Sequence, residues 1–288
     1  MNVESVKSVS IIGAGQMGAG IAQVLAFHGY EAKLYDAKPE AVEKALAGID
    51  RRLNRAIEKE QITEQQKSDT LSKLSAANTL EELSDSDIVI EAIIENEEIK
   101  KDLLCKLDQI CKPDTILASN TSSISITKLA AATNRPEKVV GMHFMNPVPV
   151  MELVELIRGL QTSDESYECI NELSKRISKT PVTALRDYPG FIVNRILIPM
   201  LNEACYVLME GIASVEDIDT AMKLGTNQPM GPLTLADFVG LDTCLYIAQI
   251  FHRELGEDKY RPCPLLVKYV EAGWLGKKTG RGFYTYDS

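Results

Sequence analysis

Gly13-Ala14-Gly15-Gln16-Met17-Gly18 follows the apolar run Val9-Ser10-Ile11-Ile12, and the next strand-like stretch, Lys33-Leu34-Tyr35, closes on Asp36. A G-x-G-x-x-G spacing alone is a weak signal. Between a strand and a helix, with an acid about 20 residues further on, it specifies a dinucleotide site. Gly13 permits a tight turn, Gly15 lets a pyrophosphate approach the backbone, and Gly18 lets the helix pack on the strand. Ala14, Gln16 and Met17 complete the cradle at a helix N-terminus, whose orphan N–H groups and partial positive charge suit phosphates. A carboxylate at Asp36 would bond the adenosine ribose hydroxyls and repel a 2′-phosphate, which favours NAD over NADP.

Three further segments carry chemistry. Ala118-Ser119-Asn120-Thr121-Ser122-Ser123 is a polar cluster directly after an apolar strand. Ligands of open α/β sheets bind at that end of a strand, although helix capping explains Ser and Thr equally well. The second segment runs from Gly141 to Glu155 and holds His143 in a strand followed by Asn146-Pro147-Val148-Pro149. A lone histidine after a strand is more often structural than catalytic. Here a reversal near Pro149, midway between His143 and Glu155, would make the two side chains cross-strand neighbours. An imidazole oriented by a buried carboxylate is the usual construction of a general base. Strand side chains alternate, so Glu152 should face away from Glu155. In the third segment, Pro189-Gly190-Phe191-Ile192-Val193-Asn194-Arg195, a polar amide enters the first turn of an apolar helix. Asn194 there either caps locally or points into an inter-domain cleft.

The elements that must hold these residues follow from periodicity. Short apolar runs alternate with amphipathic stretches through the first two-thirds of the chain, the pattern of a parallel sheet with crossover helices. Strands are expected at 6–13, 31–36, 87–93, 115–120, 138–144, 151–158 and 181–185. Helices are expected at 16–27, 39–59, 96–110, 126–132 and 164–178. Beyond residue 186 long helical blocks take over, at 192–209, 215–224, 233–255 and 264–272, with a strand signal only at 282–286. The expected architecture is a Rossmann-like, doubly wound, mostly parallel sheet over residues 1–186, followed by an all-helical substrate and dimerisation domain over 187–288.

Composition narrows the class. With 288 residues and 45% hydrophobic content, the chain can bury a sizeable core. A net charge of −10 argues against nucleic-acid binding. No apolar run approaches the roughly 18 residues of a membrane span, and the N-terminus does not resemble a signal peptide, so the expected address is the cytoplasm. Six cysteines without a C-x-x-C pair and three histidines without H-E-x-x-H spacing leave no expected metal site.

Taken together, IIGAGQMGAGIA, IEAIIEN, ILASNTSS, GMHFMNPVPVMELVE, PGFIVNR, EDIDTAMKLG, PMGPLTLADFVGLD and GKKTGRGFY resemble the 3-hydroxyacyl-CoA dehydrogenase family along essentially the whole chain. The nearest resemblance is to bacterial members that act on the short 3-hydroxybutyryl chain. GMHFMNP and PGFIVNR are far more specific than a glycine loop. The resemblance implies NAD-dependent oxidation of a 3-hydroxyacyl-CoA, and the reverse reduction, in fatty-acid or butanoate metabolism. It implies that His143 is the acid/base and Glu155 its orienting partner, and that Ser122 and Asn194 hydrogen-bond the reacting oxygen. It also implies that Asn146 lies at the nicotinamide end and that Glu95, Lys100, Ser122 and Lys278 approach the cofactor. Met145 stands where Phe is usual and Glu152 where Lys is usual, departures that touch fine substrate preference rather than the chemistry.

A CoA thioester brings several phosphate charges to an acidic protein, so a local basic site is expected. Arg51, Arg52, Arg55 and Lys59 fall in one stripe of the 39–59 helix at roughly 100° per residue. A solvated, ion-paired face explains the same stripe, and the resemblance tips the choice to Arg52 and Lys59 as CoA contacts. Two competing classes remain. A β-hydroxy acid dehydrogenase of the same architecture relies on a catalytic lysine, against which the His143/Glu155 pair argues. A non-catalytic dinucleotide-binding protein has no use for the full set of Ser122, His143, Glu155 and Asn194. The apolar helical part suggests a homodimer or higher homo-oligomer.

Overall fold

Eight strands of the first unit form one sheet in the order β3-β2-β1-β4-β5-β6-β7-β8. In chain order the elements are β1 (Ser8–Ile12), α1 (Gln16–Phe27), β2 (Glu31–Tyr35), α2 (Pro39–Glu58), α3 (Glu64–Ser72), β3 (Leu74–Ala76) and β4 (Ile88–Glu91). They continue with α4 (Glu97–Ile110), β5 (Ile116–Ser119), α5 (Ile126–Ala130), β6 (Val139–Phe144), β7 (Leu153–Ile157), α6 (Asp164–Arg176) and β8 (Thr180–Ala184). The computed structural model describes residues 2–286. Its chain divides into two units, Met1–Tyr188 and Pro189–Ser288.

Every pairing in the sheet is parallel except one, β6 with β7. Strands β4, β5 and β6 are buried at every position, as expected of strands covered on both faces. α2 buries Val42, Ala45, Ile49 and Leu53, a stripe at helical spacing, and turns its charged face outward. The fold is thus the Rossmann-like, mostly parallel arrangement expected, with the strand order reversing between β1 and β4. That reversal opens the crevice in which such sheets bind ligands.

Two elements of this unit carry weak signals. α3 is announced only by a capping box, in which Thr63 and Gln66 exchange hydrogen bonds with each other's backbone N–H. β3 is a three-residue edge strand without apolar alternation.

The second unit is helical: α7 (Val193–Met209), α8 (Val215–Gly225), α9 (Pro232–Val239), α10 (Leu241–Leu255) and α11 (Pro264–Glu271). Leu201, Leu233, Leu241, Cys244, Phe251 and Cys263 lie at its buried centre. Two expectations are corrected here. The 233–255 block is two helices, because Gly240 at φ 101° takes the chain through a 96° bend. The 282–286 stretch makes only isolated bridges around Arg281. The N–H groups of Phe283 and Tyr284 instead donate to the Asp237 carboxylate, each at 2.9 Å, so a side chain takes the place of a partner strand.

Among the described residues no single helix is long and apolar enough to cross a membrane. Among the same residues, α9 and α10 are long and apolar enough only when taken together, across their 96° bend.

Candidate active site

The glycine turn joins β1 to α1 at the point where strand order reverses. Gly13 has φ 103°, and a Cβ on it would sit 2.5 Å from the Ala92 carbonyl oxygen at the end of β4. A Cβ on Gly18 would overlap the Gly13 carbonyl, so turn and helix can close this tightly only without side chains. Around the Cβ position of Gly15 there is open space. Gly15 caps α1 without a side-chain hydrogen bond, and the first turn holds no acidic residue. A bare, positive helix start beside open space fits a phosphate group.

Asp36 follows β2 and accepts the Ala14 N–H at 2.7 Å and the Lys38 N–H at 2.9 Å. Its carboxylate therefore ties the glycine turn to the end of the neighbouring strand. From the start of α1, the Gln16 amide donates to Asn146 Oδ1 at 2.9 Å. This bond joins the cradle to the segment that follows β6.

The antiparallel register of β6 and β7 sets His143 opposite Glu155. His143 Nδ1 lies 2.8 Å from Glu155 Oε2, with the carboxylate fully buried and the histidine side chain 9% exposed. Glu152 is exposed and outside β7. Lys179 donates to the carbonyls of Val148 at 2.7 Å and Met151 at 2.8 Å, so a buried ammonium pins the connection that creates this register. Burial holds the Lys179 ammonium below the usual lysine range.

Ser122 lies in the loop between β5 and α5, and Glu95 organises that loop. Glu95 Oε1 accepts from Thr121 Oγ1 at 2.6 Å, Ser122 N at 2.9 Å, Ser123 Oγ at 2.9 Å and Ser123 N at 3.1 Å. Burial alone would raise the Glu95 carboxyl, but Lys100 and the hydrogen bonds from Thr121, Ser122 and Ser123 together hold it below the usual carboxylate range. Lys100 Nζ stands 3.4 Å from Glu95 Oε2. In the same loop, Asn120 Oδ1 accepts the Phe144 N–H at 2.8 Å, next to His143.

The other expected residues are placed as follows. Arg52 on α2 donates to Gln23 Oε1 at 2.7 Å. It lines a hollow of about 530 Å³ with Gln23, Gln61, Glu152 and Lys179. Lys59, exposed, ends the same helix. In the second unit, Asn194 stands in the first turn of α7, and Lys278 Nζ pairs with both carboxylate oxygens of Asp242 at 2.6 and 2.7 Å.

Sequence reasoning missed Glu91 and Lys179, and it read Asn120 only as one member of the polar cluster after β5. Glu91 sits inside a quoted motif, and its signal was a lone acid ending an otherwise apolar strand. Asn120 and Lys179 act on backbone groups of distant segments, for which no local pattern exists.

Strand order, bare helix start and strand-terminal acid define a dinucleotide-binding protein. Residues 8–188 match the NAD binding domain of 3-hydroxyacyl-CoA dehydrogenase, and residues 190–286 match its C-terminal domain. The chain is 55% identical to a 3-hydroxybutyryl-CoA dehydrogenase of Bradyrhizobium diazoefficiens, covering 98% of this chain and 96% of that protein. It is 45% identical to the human mitochondrial hydroxyacyl-coenzyme A dehydrogenase, covering 98% and 91%. The crystal structure of (S)-3-hydroxybutyryl-CoA dehydrogenase from Ralstonia eutropha superposes with a TM-score of 0.95 at 50% identity, covering 99% of this chain and 100% of that one. The chain belongs to the 3-hydroxyacyl-CoA dehydrogenase family and is an NAD-dependent oxidoreductase.

Proposed function

We propose that this protein oxidises (S)-3-hydroxybutyryl-CoA to acetoacetyl-CoA with NAD, and catalyses the reverse reduction, within fatty-acid or butanoate metabolism. The observation that carries the reading is the 2.8 Å contact between His143 Nδ1 and Glu155 Oε2. With Nδ1 holding its proton for Glu155, Nε2 is the basic nitrogen of a neutral imidazole. Nε2 takes the 3-hydroxyl proton as the C3–H bond breaks. Bound NAD supplies the hydride acceptor for the C3–H electron pair. Glu155 stabilises the imidazolium that results without itself taking the proton. In the reducing direction the imidazolium returns that proton to the carbonyl oxygen.

On the family resemblance, Ser122 and Asn194 hydrogen-bond the reacting oxygen, and Asn146, steadied by Gln16, serves the nicotinamide end. Glu95, Lys100 and Lys278 are assigned to the cofactor, and Arg52 and Lys59 to the CoA phosphates. We assign the dinucleotide cradle to the sheet unit, and a share of substrate binding, through Asn194, together with self-association to the helical unit. Exposed apolar side chains of the helical unit, Ile196, Ile212 and Leu224, support a homodimer or higher homo-oligomer. Sedimentation at micromolar concentration should give at least twice the monomer mass, and a monomer would overturn that assignment. The six free thiols fit a reducing, cytoplasmic setting.

The activity is tested by mixing the purified protein with acetoacetyl-CoA and either NADH or NADPH. Loss of nicotinamide absorbance with NADH is expected, and no oxidation with the acyl-CoA would sink the reading.

A further inference from the structure

β4 ends on Glu91, in register with Ile12 on one side and Ser119 on the other. Ile88, Val89 and Ile90 before it are buried apolar residues, and Glu91 itself has no exposed surface. Its Oε2 accepts from Ser119 Oγ at 2.6 Å, and its Oε1 pairs with Lys100 Nζ and accepts the Ile93 N–H at 3.2 Å. Lys100, 1% exposed, enters from the first turn of α4. A buried ion pair of this kind is costly to desolvate and often adds little to stability compared with apolar side chains of the same volume. Its persistence in an apolar strand end invites a functional account.

The contacts supply one. Glu91 holds Ser119, where the β5 loop begins. Glu95 holds Thr121, Ser122 and Ser123, where the loop continues. Lys100 stands between the two carboxylates and links them. Asn120, between the two anchored stretches, bonds the Phe144 N–H beside His143. A pair that served only to neutralise Lys100 would need no contact with this loop.

We propose that Glu91 is a positioning residue for the dehydrogenase reaction, fixing the Ser119–Ser123 loop through Ser119 and Lys100 and so setting the place of Ser122. This inference rests on the function proposed above. Burial raises the Glu91 carboxyl, and Lys100 and Ser119 act against that shift. The carboxylate therefore depends on these two partners, and the loop depends on it in turn. Misplacing a group that meets the reacting oxygen lowers turnover steeply without removing the cofactor site.

The experiment measures kcat for acetoacetyl-CoA reduction per NADH-binding site, with sites counted by fluorescence titration in the same sample. Glu91→Gln keeps the shape and removes the charge; Ser119→Ala removes the hydroxyl contact and leaves every charge in place. For Glu91→Gln, kcat per site should fall about tenfold or more, a clearly larger factor than any loss of NADH affinity passed on through its partner Lys100. Ser119→Ala should give a smaller fall of the same kind, and it decides the matter if Glu91→Gln yields no folded protein. Turnover per site within about twofold of the parent, or a loss matched by equally weakened NADH binding, would overturn the proposal. An inactive parent chain would instead count against the function itself.

Discussion

His143 and Glu155 are twelve residues apart in the chain and directly opposite each other across β6 and β7, with Nδ1 and Oε2 2.8 Å apart. Replacing His143 with Ala removes the proposed acid/base and leaves the glycine cradle intact. Turnover should fall by about 10²–10⁴-fold. NADH affinity, read by fluorescence titration, should be nearly unchanged, and a comparable loss of affinity would count against the assigned role. Glu155→Gln should retain more activity than His143→Ala, because the imidazole survives and loses only its orienting charge.

Asp36 both steadies Ala14 and presents negative charge at the end of β2. Asp36→Asn keeps an acceptor for the Ala14 N–H and removes the charge that would repel a 2′-phosphate. The ratio of kcat/KM with NADPH to that with NADH should rise about tenfold, roughly 1.4 kcal/mol of changed preference. Equal ratios in variant and parent would dismiss Asp36 as the discriminating residue.

Arg52 lines the hollow beside α2, where burial and the neighbouring Arg51 both disfavour its charge. An incoming phosphate would relieve that strain. Arg52→Ala is therefore expected to raise KM for acetoacetyl-CoA about tenfold with kcat little altered, the mark of lost uniform binding. A change in kcat alone would overturn the proposed assignment of Arg52 to the CoA phosphates.

Asp87 accepts the N–H groups of Lys7 and Ser8 at 2.8 and 3.0 Å and pairs with Lys112 at 2.6 Å. Burial opposes its ionisation, but Lys112 and the two N–H groups prevail and hold the carboxyl below the usual range. A depressed carboxylate stabilises the fold above its unfolded pKa and loses that contribution as pH falls through its folded pKa. Asp87→Asn should lower Tm by about 2–4 °C at pH 7, and the gap should close as pH drops below about 4. A gap independent of pH would show that the carboxylate charge is irrelevant.

The parts of the fold legible in the sequence were those written in local periodicity. β4 to β6 read as apolar runs with a polar residue at or next to the end of each, and the placing of Pro149 midway between His143 and Glu155 announced their pairing. Periodicity misled at Gly240, where apolar spacing runs on through the bend between α9 and α10. It misled again at Phe283 and Tyr284, whose strand-like residues bond a carboxylate instead of a strand. Within the candidate site, the glycine turn and Asp36 belong to one local motif and could be read together. The Glu91, Lys100, Glu95 and Ser119 contacts join three separated segments, so only folding brings them to one place.

Lys179 grips the β6–β7 connection by the carbonyls of both Val148 and Met151. The consequence is a connection whose length is closed to insertion and deletion. One added residue cannot be absorbed as a surface bulge while both carbonyls stay pinned. Sliding the strands by one position instead would turn Glu155 to the far face of the sheet, away from His143. Relatives of this protein should vary in length almost anywhere else before they vary between Met145 and Glu152.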